Sequence, residues 1–419
     1  MKVAVIGGGS TYTPELVDGI GRLLPSVSDL VLQDPDAERL AAVGPVSRRI
    51  MRRLGHPGTV SWTGSLDEAA EGADVLLYQL RVGGQATRQR DETWPLDCGC
   101  IGQETTGAGG LAKALRTVPA VLDISERAMV RAAPGAWIID FTNPVGIVTR
   151  ALRTAGYRAI GLCNVAIGFQ RRFAAALGVE PERVRLGHVG LNHLTWERSV
   201  TVDGKDVLPE LLTAHSEEIA ADVGLPAGLV EHLGMIPSYY LRYYYAHDTV
   251  VREERGAPTR AEAVAAIERE LLEMYRDPSL DRKPDILAKR GGAFYSEAAV
   301  DLLVALTSTS GVASAPQVVN ITNSGTLPFL PDDAVVEVPA TITAEGAAPL
   351  PVEPVQPLLR GLIAHAYAYE ELALEAALHG GRGRVYDALL AHPLVGQYDI
   401  AECLTGKLLA ENAKFLPWT

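Results

Sequence analysis

Cys163 ends an apolar run at residues 159–163, and His193 follows 30 residues later within Gly-Leu-Asn-His-Leu-Thr-Trp. A thiolate and an imidazole are ligands for a divalent metal, and a pair of them leaves coordination positions open for water and substrate, as a catalytic site needs. Each also has a plain structural reading: a buried cysteine packs as a small hydrophobe, and a lone histidine is a hydrogen-bonded core group. Cys98-x-Cys100 lacks zinc-ligand spacing and reads as local packing. Residues 236–247, Ile-Pro-Ser-Tyr-Tyr-Leu-Arg-Tyr-Tyr-Tyr-Ala-His, place tyrosines at 239, 240, 243, 244 and 245. Most must be core, but a phenol beside a metal has its pKa lowered enough to abstract a proton. Arg88, Arg90, Arg242 and Arg260 are candidates for anion recognition, and the residues alone do not choose among them.

A second chemistry is written in residues 2–24. Val3 to Ile6 form an apolar run of strand length, and Gly7, Gly8 and Gly9 let backbone approach a ligand closely. Ser10 and Thr11 complete the turn, Thr13 can cap the helix that follows, and Pro14 suits its first position. The helix start then presents N–H groups and a positive dipole end to the turn, where a pyrophosphate would sit. The dinucleotide fingerprint G-x-G-x-x-G is only partly met, since Tyr12 stands at the third glycine. Asp34 ends the next strand, 25 residues past Gly9, where a carboxylate can accept hydrogen bonds from a ribose or cap a helix.

These groups need elements to hold them. Strands are expected near residues 3–6, 29–32, 60–63, 73–80, 136–141 and 159–163, with helices between, which is the pattern of an α/β, Rossmann-like doubly wound parallel sheet. Arg88, Asn143 and the Cys163-Asn164 pair then fall beyond the carboxyl ends of the fourth, fifth and sixth strands, the edge at which open parallel sheets bind ligands. From residue 184 the texture becomes mixed. Two domains are expected: a dinucleotide-binding domain at 1–183 and a mixed α+β domain at 184–419 for substrate, metal and oligomerisation. Long helical stretches are expected at 355–379 and 385–413, and the apolar run 298–315 reads as a buried helix.

Composition narrows the partners. The net charge of −13 over 419 residues and the absence of a basic run argue against a nucleic-acid surface. A small-molecule substrate is expected, with no membrane partner. With four cysteines and no signal peptide expected ahead of the first strand, a cytoplasmic chain with reduced thiols is anticipated.

Taken in order, GGGSTYTPEL at 7–16, LRVGGQATRQRDE at 80–92, IGQETTGAGG at 101–110, FTNP at 141–144, GLCNV at 161–165, GLNH at 190–193, SYYLRYY at 238–244 and PTRAEAV at 258–264 resemble glycoside hydrolase family 4, nearest its 6-phospho-beta-glucosidases. The resemblance runs along essentially the whole chain. It implies an NAD-dependent and metal-dependent hydrolase, an exception to the glycosidases that use two carboxylates. It implies Cys163 and His193 as ligands of manganese or another divalent cation, Tyr240 as general base and Glu104 as its support. Arg88, Asn143, Asn164 and Arg260 would hold the phosphorylated sugar, and Gly7, Gly8, Gly9, Ser10, Thr11 and Asp34 the NAD. A homodimer or homotetramer is expected.

The implied route is oxidation at sugar C3, loss of the C2 proton to Tyr240, elimination of the aglycone from C1, addition of water and re-reduction. Asn164 stands where the alpha-acting branch has an acidic aspartate, and an amide cannot protonate a leaving group, which favours the beta branch. Ala166 stands where that branch usually has proline, so the helix start after the metal motif loses a fixed φ. Three other readings share part of the pattern: a family 4 enzyme for another sugar, a plain NAD-dependent dehydrogenase of 2-hydroxy acids, and a non-enzymatic NAD sensor.

Overall fold

The computed structural model describes all residues except 293, 309–314 and 419. Among the described residues the chain forms thirteen strands: β1 (Lys2–Ile6), β2 (Asp29–Gln33), β3 (Thr59–Thr63), β4 (Val75–Tyr78), β5 (Trp137–Asp140), β6 (Ala159–Gly161), β7 (Val184–Leu191), β8 (Leu194–Val202), β9 (Lys205–Asp206), β10 (Ile236–Pro237), β11 (Gln317–Thr322), β12 (Val335–Thr343) and β13 (Gly346–Pro349). All belong to one sheet. Its first part runs β3-β2-β1-β4-β5-β6 and every pair in it is parallel. This is the doubly wound order, in which the chain reverses direction across the sheet between β1 and β4 and opens a crevice beyond the strand ends there. The second part continues antiparallel through β11, β12, β7, β8 and β10, and β6 meets β11 at Gly161 and Asn320.

Burial explains the parallel part. Val3, Val5 and Ile6 are fully buried, as are Leu76 and Leu77 of β4, because helices cover both faces of the sheet. Each aliphatic side chain of this size contributes about 1.5–3 kcal/mol when taken from water. Helix starts are set by local chemistry. Asp36 accepts from the N–H groups of Glu38 and Arg39 and starts the helix Ala37–Arg53, and Thr259 with Glu262 closes a capping box on the helix Arg260–Arg276. At the β8–β9 hairpin Asp203 and Gly204 both take positive φ, 50° and 84°, as a two-residue turn of the favoured hand requires.

Several expectations are corrected. Thr13 does not cap the helix Thr13–Leu23; Tyr12 occupies that position without a side-chain cap, and the Thr13 hydroxyl donates to the Gly8 carbonyl instead. The stretch 385–413 is two helices, Arg382–Leu390 and Tyr398–Asn412, parted by a turn that contains Pro393 and Gly396, residues that interrupt helical hydrogen bonding. The helix Tyr295–Thr307 covers the first part of the run 298–315, whose residues 309–314 lie outside the described residues. The thiols are not all reduced. Cys98 and Cys403 form a disulfide across 305 residues of sequence, because the turn Trp94–Cys98 packs on the helix Tyr398–Asn412. Cys100 and Cys163 are free and buried. Among the described residues no helix is long and apolar enough to cross a membrane.

Candidate active site

A cavity of about 1650 Å³ opens along the carboxyl ends of β1, β2, β4, β5 and β6. Gly7, Ser10 and Asp34 form part of its wall, and so do Arg88, Asn143, Asn164, His193, Tyr240 and Arg260. Gly8, Gly9, Thr11, Glu104 and Cys163, also expected at the site, are buried and stand outside that wall.

The glycine turn is packed too closely for side chains. Gly7 has φ 88°, and a Cβ there would lie 2.8 Å from the Gln79 carbonyl oxygen, so only glycine fits. Gly9 donates its N–H to Asp34 Oδ2 at 3.0 Å, and Asp36 donates to Oδ1 at 2.9 Å. Asp34 thus anchors the turn while facing the cavity, and burial raises its pKa. Tyr12, at the third glycine's place, stands in the cavity wall and donates its hydroxyl to the Gly292 carbonyl at 2.7 Å. Thr11 is used internally: Arg290 Nε donates to its hydroxyl at 2.7 Å, and Glu268 Oε1 lies 3.3 Å from it. Glu268 also takes Gln85 and Arg290, which ties the turn to the helix Arg260–Arg276. A cradle that excludes Cβ atoms, next to an accessible carboxylate, suits a dinucleotide.

Cys163 follows β6, and His193 sits in the two-residue turn between β7 and β8, with φ 62°. Burial pushes the Cys163 thiol up, Glu337 adds to this, and N–H donors from Val165, the Asn192 side chain and Asn164 pull the other way. Burial lowers His193 to about 4, so the imidazole is neutral and free to ligate. Among the described residues no three His, Cys, Asp or Glu side chains gather as a metal cluster. Were Cys163 and His193 to hold a divalent ion, one sulfur and one imidazole would leave open positions, unlike a closed structural site.

Tyr240 lies flat on His193, ring centroids 3.6 Å apart and planes 9° apart. Burial raises its phenol far above the ordinary range, the charges of Cys163 and Glu104 add to this, and Arg88 opposes. A cation beside it is what would bring it down. Asn143 Oδ1 is buried without a hydrogen-bond partner among the described residues and belongs to a wall residue. An orphaned acceptor of this kind costs about 1–3 kcal/mol unless a ligand donates to it, which suits a sugar hydroxyl.

Glu104 gathers three cations: Arg81 at short range, Lys113 Nζ at 2.6 Å and Arg88 Nε at 3.0 Å. Burial alone would raise its pKa, but Arg81, Lys113 and Arg88 hold it well below the carboxylate range. Arg88 Nε also donates to Glu92 at 2.7 Å. Arg260 is exposed and donates to the carbonyls of Lys289 and Arg290. Of the other two arginines, Arg242 pairs with Tyr239 and Glu253, and Arg90 reaches Glu411 at 3.6 Å outside the cavity wall.

Residues 2–179 match the family model described as Family 4 glycosyl hydrolase, and residues 188–395 match that of the Family 4 glycosyl hydrolase C-terminal domain. The chain belongs to glycosyl hydrolase family 4. A probable 6-phospho-beta-glucosidase of Bacillus subtilis is 37% identical over 100% of this chain and 97% of its own. A 6-phospho-beta-glucosidase of Escherichia coli is 36% identical over 100% and 96%. The 6-phospho-beta-glucosidase of Thermotoga maritima, solved with manganese, NAD+ and glucose-6-phosphate, superposes with a TM-score of 0.92 at 33% identity, covering 99% of each chain.

Within this family 4 chain, Asn164 ends the loop after β6, and the helix Val165–Leu177 starts directly after it with Ala166 buried. The helix start therefore forms without the expected proline. Sequence reasoning passed over Arg81, Lys113, Glu268, Arg290 and Tyr295, all cavity-wall residues. Lys113 is buried in the helix Gly107–Arg131 together with Arg116, and two cations within its small and aliphatic first half were the available signal. Tyr295 stands edge-on to Phe141 at 5.2 Å, a contact across 154 residues that no local pattern announces.

Proposed function

We propose that this chain hydrolyses 6-phospho-beta-glucosides by a redox-assisted elimination. The carrying observation is that His193 and Tyr240 share a cavity wall with Gly7, Ser10 and Asp34, so oxidation and proton removal can act on one bound sugar. The Thermotoga maritima relative solved with manganese, NAD+ and glucose-6-phosphate supports the same reading. In it residues 1–183 hold the dinucleotide, and residues 184–419 supply His193, Tyr240 and Arg260.

Bound NAD supplies a reversible hydride acceptor for sugar C3, and a divalent cation held by Cys163 and His193 supplies Lewis-acid charge for an enolate oxygen. Asp34 orients the dinucleotide through its ribose. Arg88 and Arg260 hold the sugar phosphate, and the orphaned Asn143 oxygen accepts from a sugar hydroxyl. With C3 at the ketone level the C2 proton is acidic, and Tyr240 removes it. The aglycone leaves C1 as the C1–C2 double bond forms, water adds to C1, and re-reduction at C3 leaves no net redox change. Asn164 cannot act as the acid for an alpha-linked leaving group, which supports the beta branch.

The test compares phosphorylated and unphosphorylated beta-glucosides with NAD and manganese, in heavy water. We expect cleavage only of the 6-phosphate, with deuterium at C2 of the product. Turnover without NAD, accumulation of free NADH, or full turnover with no C2 label would overturn the reading.

A further inference from the structure

The motif Gln103-Glu104-Thr105 does more than place Glu104. Gln103 Oε1 accepts from the backbone N–H of Thr105 at 2.5 Å, so the amide cannot be flipped without setting its NH2 against that N–H. The Gln103 side chain also hydrogen-bonds Tyr243. The Thr105 hydroxyl is 3.0 Å from the same Oε1 and also 3.0 Å from His193 Nδ1. A hydroxyl has one proton, and a carbonyl oxygen can only accept it. With its proton on Gln103 Oε1, the Thr105 hydroxyl presents a lone pair toward His193 Nδ1.

We propose that Gln103 and Thr105 form a relay that fixes His193 as its Nδ1–H tautomer and leaves Nε2 bare for the divalent cation. Nε2 has no hydrogen-bond partner among the described residues, and His193 lies in the cavity wall. A ligating histidine whose second nitrogen donates to a fixed acceptor has its ring orientation and basicity set by that acceptor. The relay is rigid because the loop is clamped on the helix Gly107–Arg131: a Cβ on Gly110 would lie 2.7 Å from the Thr105 carbonyl carbon, and Gly109 is pressed against the Gln103 carbonyl. Thr105 stands outside the cavity wall and Gln103 within it; both are assigned as positioning residues because each acts on His193 through the Thr105 hydroxyl.

This inference rests on the metal role of His193, and the experiment separates the two. In metal-free protein with 15N-labelled histidine, the His193 ring shifts report the tautomer, and Mn2+ affinity is measured by calorimetry on the same samples. Wild type should show a protonated Nδ1. Thr105→Val keeps the shape and removes the acceptor; it should shift the ring toward the Nε2–H form and weaken Mn2+ about 10–100-fold, with NAD affinity kept. Thr105→Ser should restore both readouts. A wild-type ring protonated on Nε2 overturns the relay even if no variant folds. Unchanged tautomer and affinity in Thr105→Val overturn it too, provided His193→Ala loses Mn2+. Unchanged Mn2+ affinity in His193→Ala would instead overturn the metal reading itself.

Discussion

The imidazole of His193 and the phenol ring of Tyr240 are stacked face to face, 3.6 Å between centroids. The proposed metal ligand and the proposed base are thus held as one unit, one from the turn after β7 and the other from the turn Tyr239–Leu241. Tyr240→Phe keeps the stacked ring and removes the oxygen. We expect kcat to fall about 10²–10⁴-fold, C2 exchange to vanish, and the urea midpoint to stay at the wild-type value. Retained exchange would assign the base elsewhere.

Glu104 is the anion shared by Arg81, Arg88 and Lys113. Glu104→Gln preserves its volume but strands these cations, and breaking such a buried arrangement costs about 3–5 kcal/mol. Burial lowers Lys113 to about 8 even with Glu104 beside it, so in Glu104→Gln the lysine should go neutral at still lower pH. Urea unfolding at pH 7 measures the loss. A change below about 1 kcal/mol would show that the cluster is not held together by its charges.

Arg88→Ala should raise KM for a 6-phosphosugar about 10–100-fold, the worth of a charge-assisted hydrogen bond of ~1.5–3 kcal/mol. Arg260→Ala should raise it less, because Arg260 is exposed and already bonds the carbonyls of Lys289 and Arg290. Steady-state kinetics on the two variants decides this. The opposite ranking would place the phosphate at Arg260.

His188 is buried between Glu197, 2.6 Å from Nδ1, and Glu337, 3.0 Å from Nε2. Burial alone would lower its pKa, but Glu197 and Glu337 outweigh this and raise it from 6.5 to about 10. The folded protein therefore holds this proton more tightly than the unfolded chain. The resulting stability is fully present below pH 6.5 and is lost as pH rises through about 10. Urea midpoints between pH 6 and pH 10 should fall in wild type, and this component should be missing in His188→Gln, which is less stable at pH 6. Parallel pH profiles for the two proteins would count against the charged triad.

Residues 2–34 carry their own structure, and for that reason were legible: a four-residue apolar run, a glycine turn only glycine can fill, Pro14 in the first turn of a helix and a strand-end aspartate are each local, short-range statements. The strand-to-helix alternation fixed the parallel half in the same way, and it placed Arg88, Asn143 and Cys163-Asn164 beyond the ends of β4, β5 and β6. Tertiary structure alone decided what meets across long separations. It joined both halves of the chain through β6 and β11 into one sheet, closed Cys98 on Cys403, and turned Thr11 inward to Glu268 and Arg290. It also stacked His193 on Tyr240 and set Lys113 beneath Glu104. Hydrophobic periodicity specifies which face of an element is buried, but not which polar groups will be buried opposite one another. Those pairings are chosen by the need to satisfy each buried donor, acceptor and charge after the elements have packed.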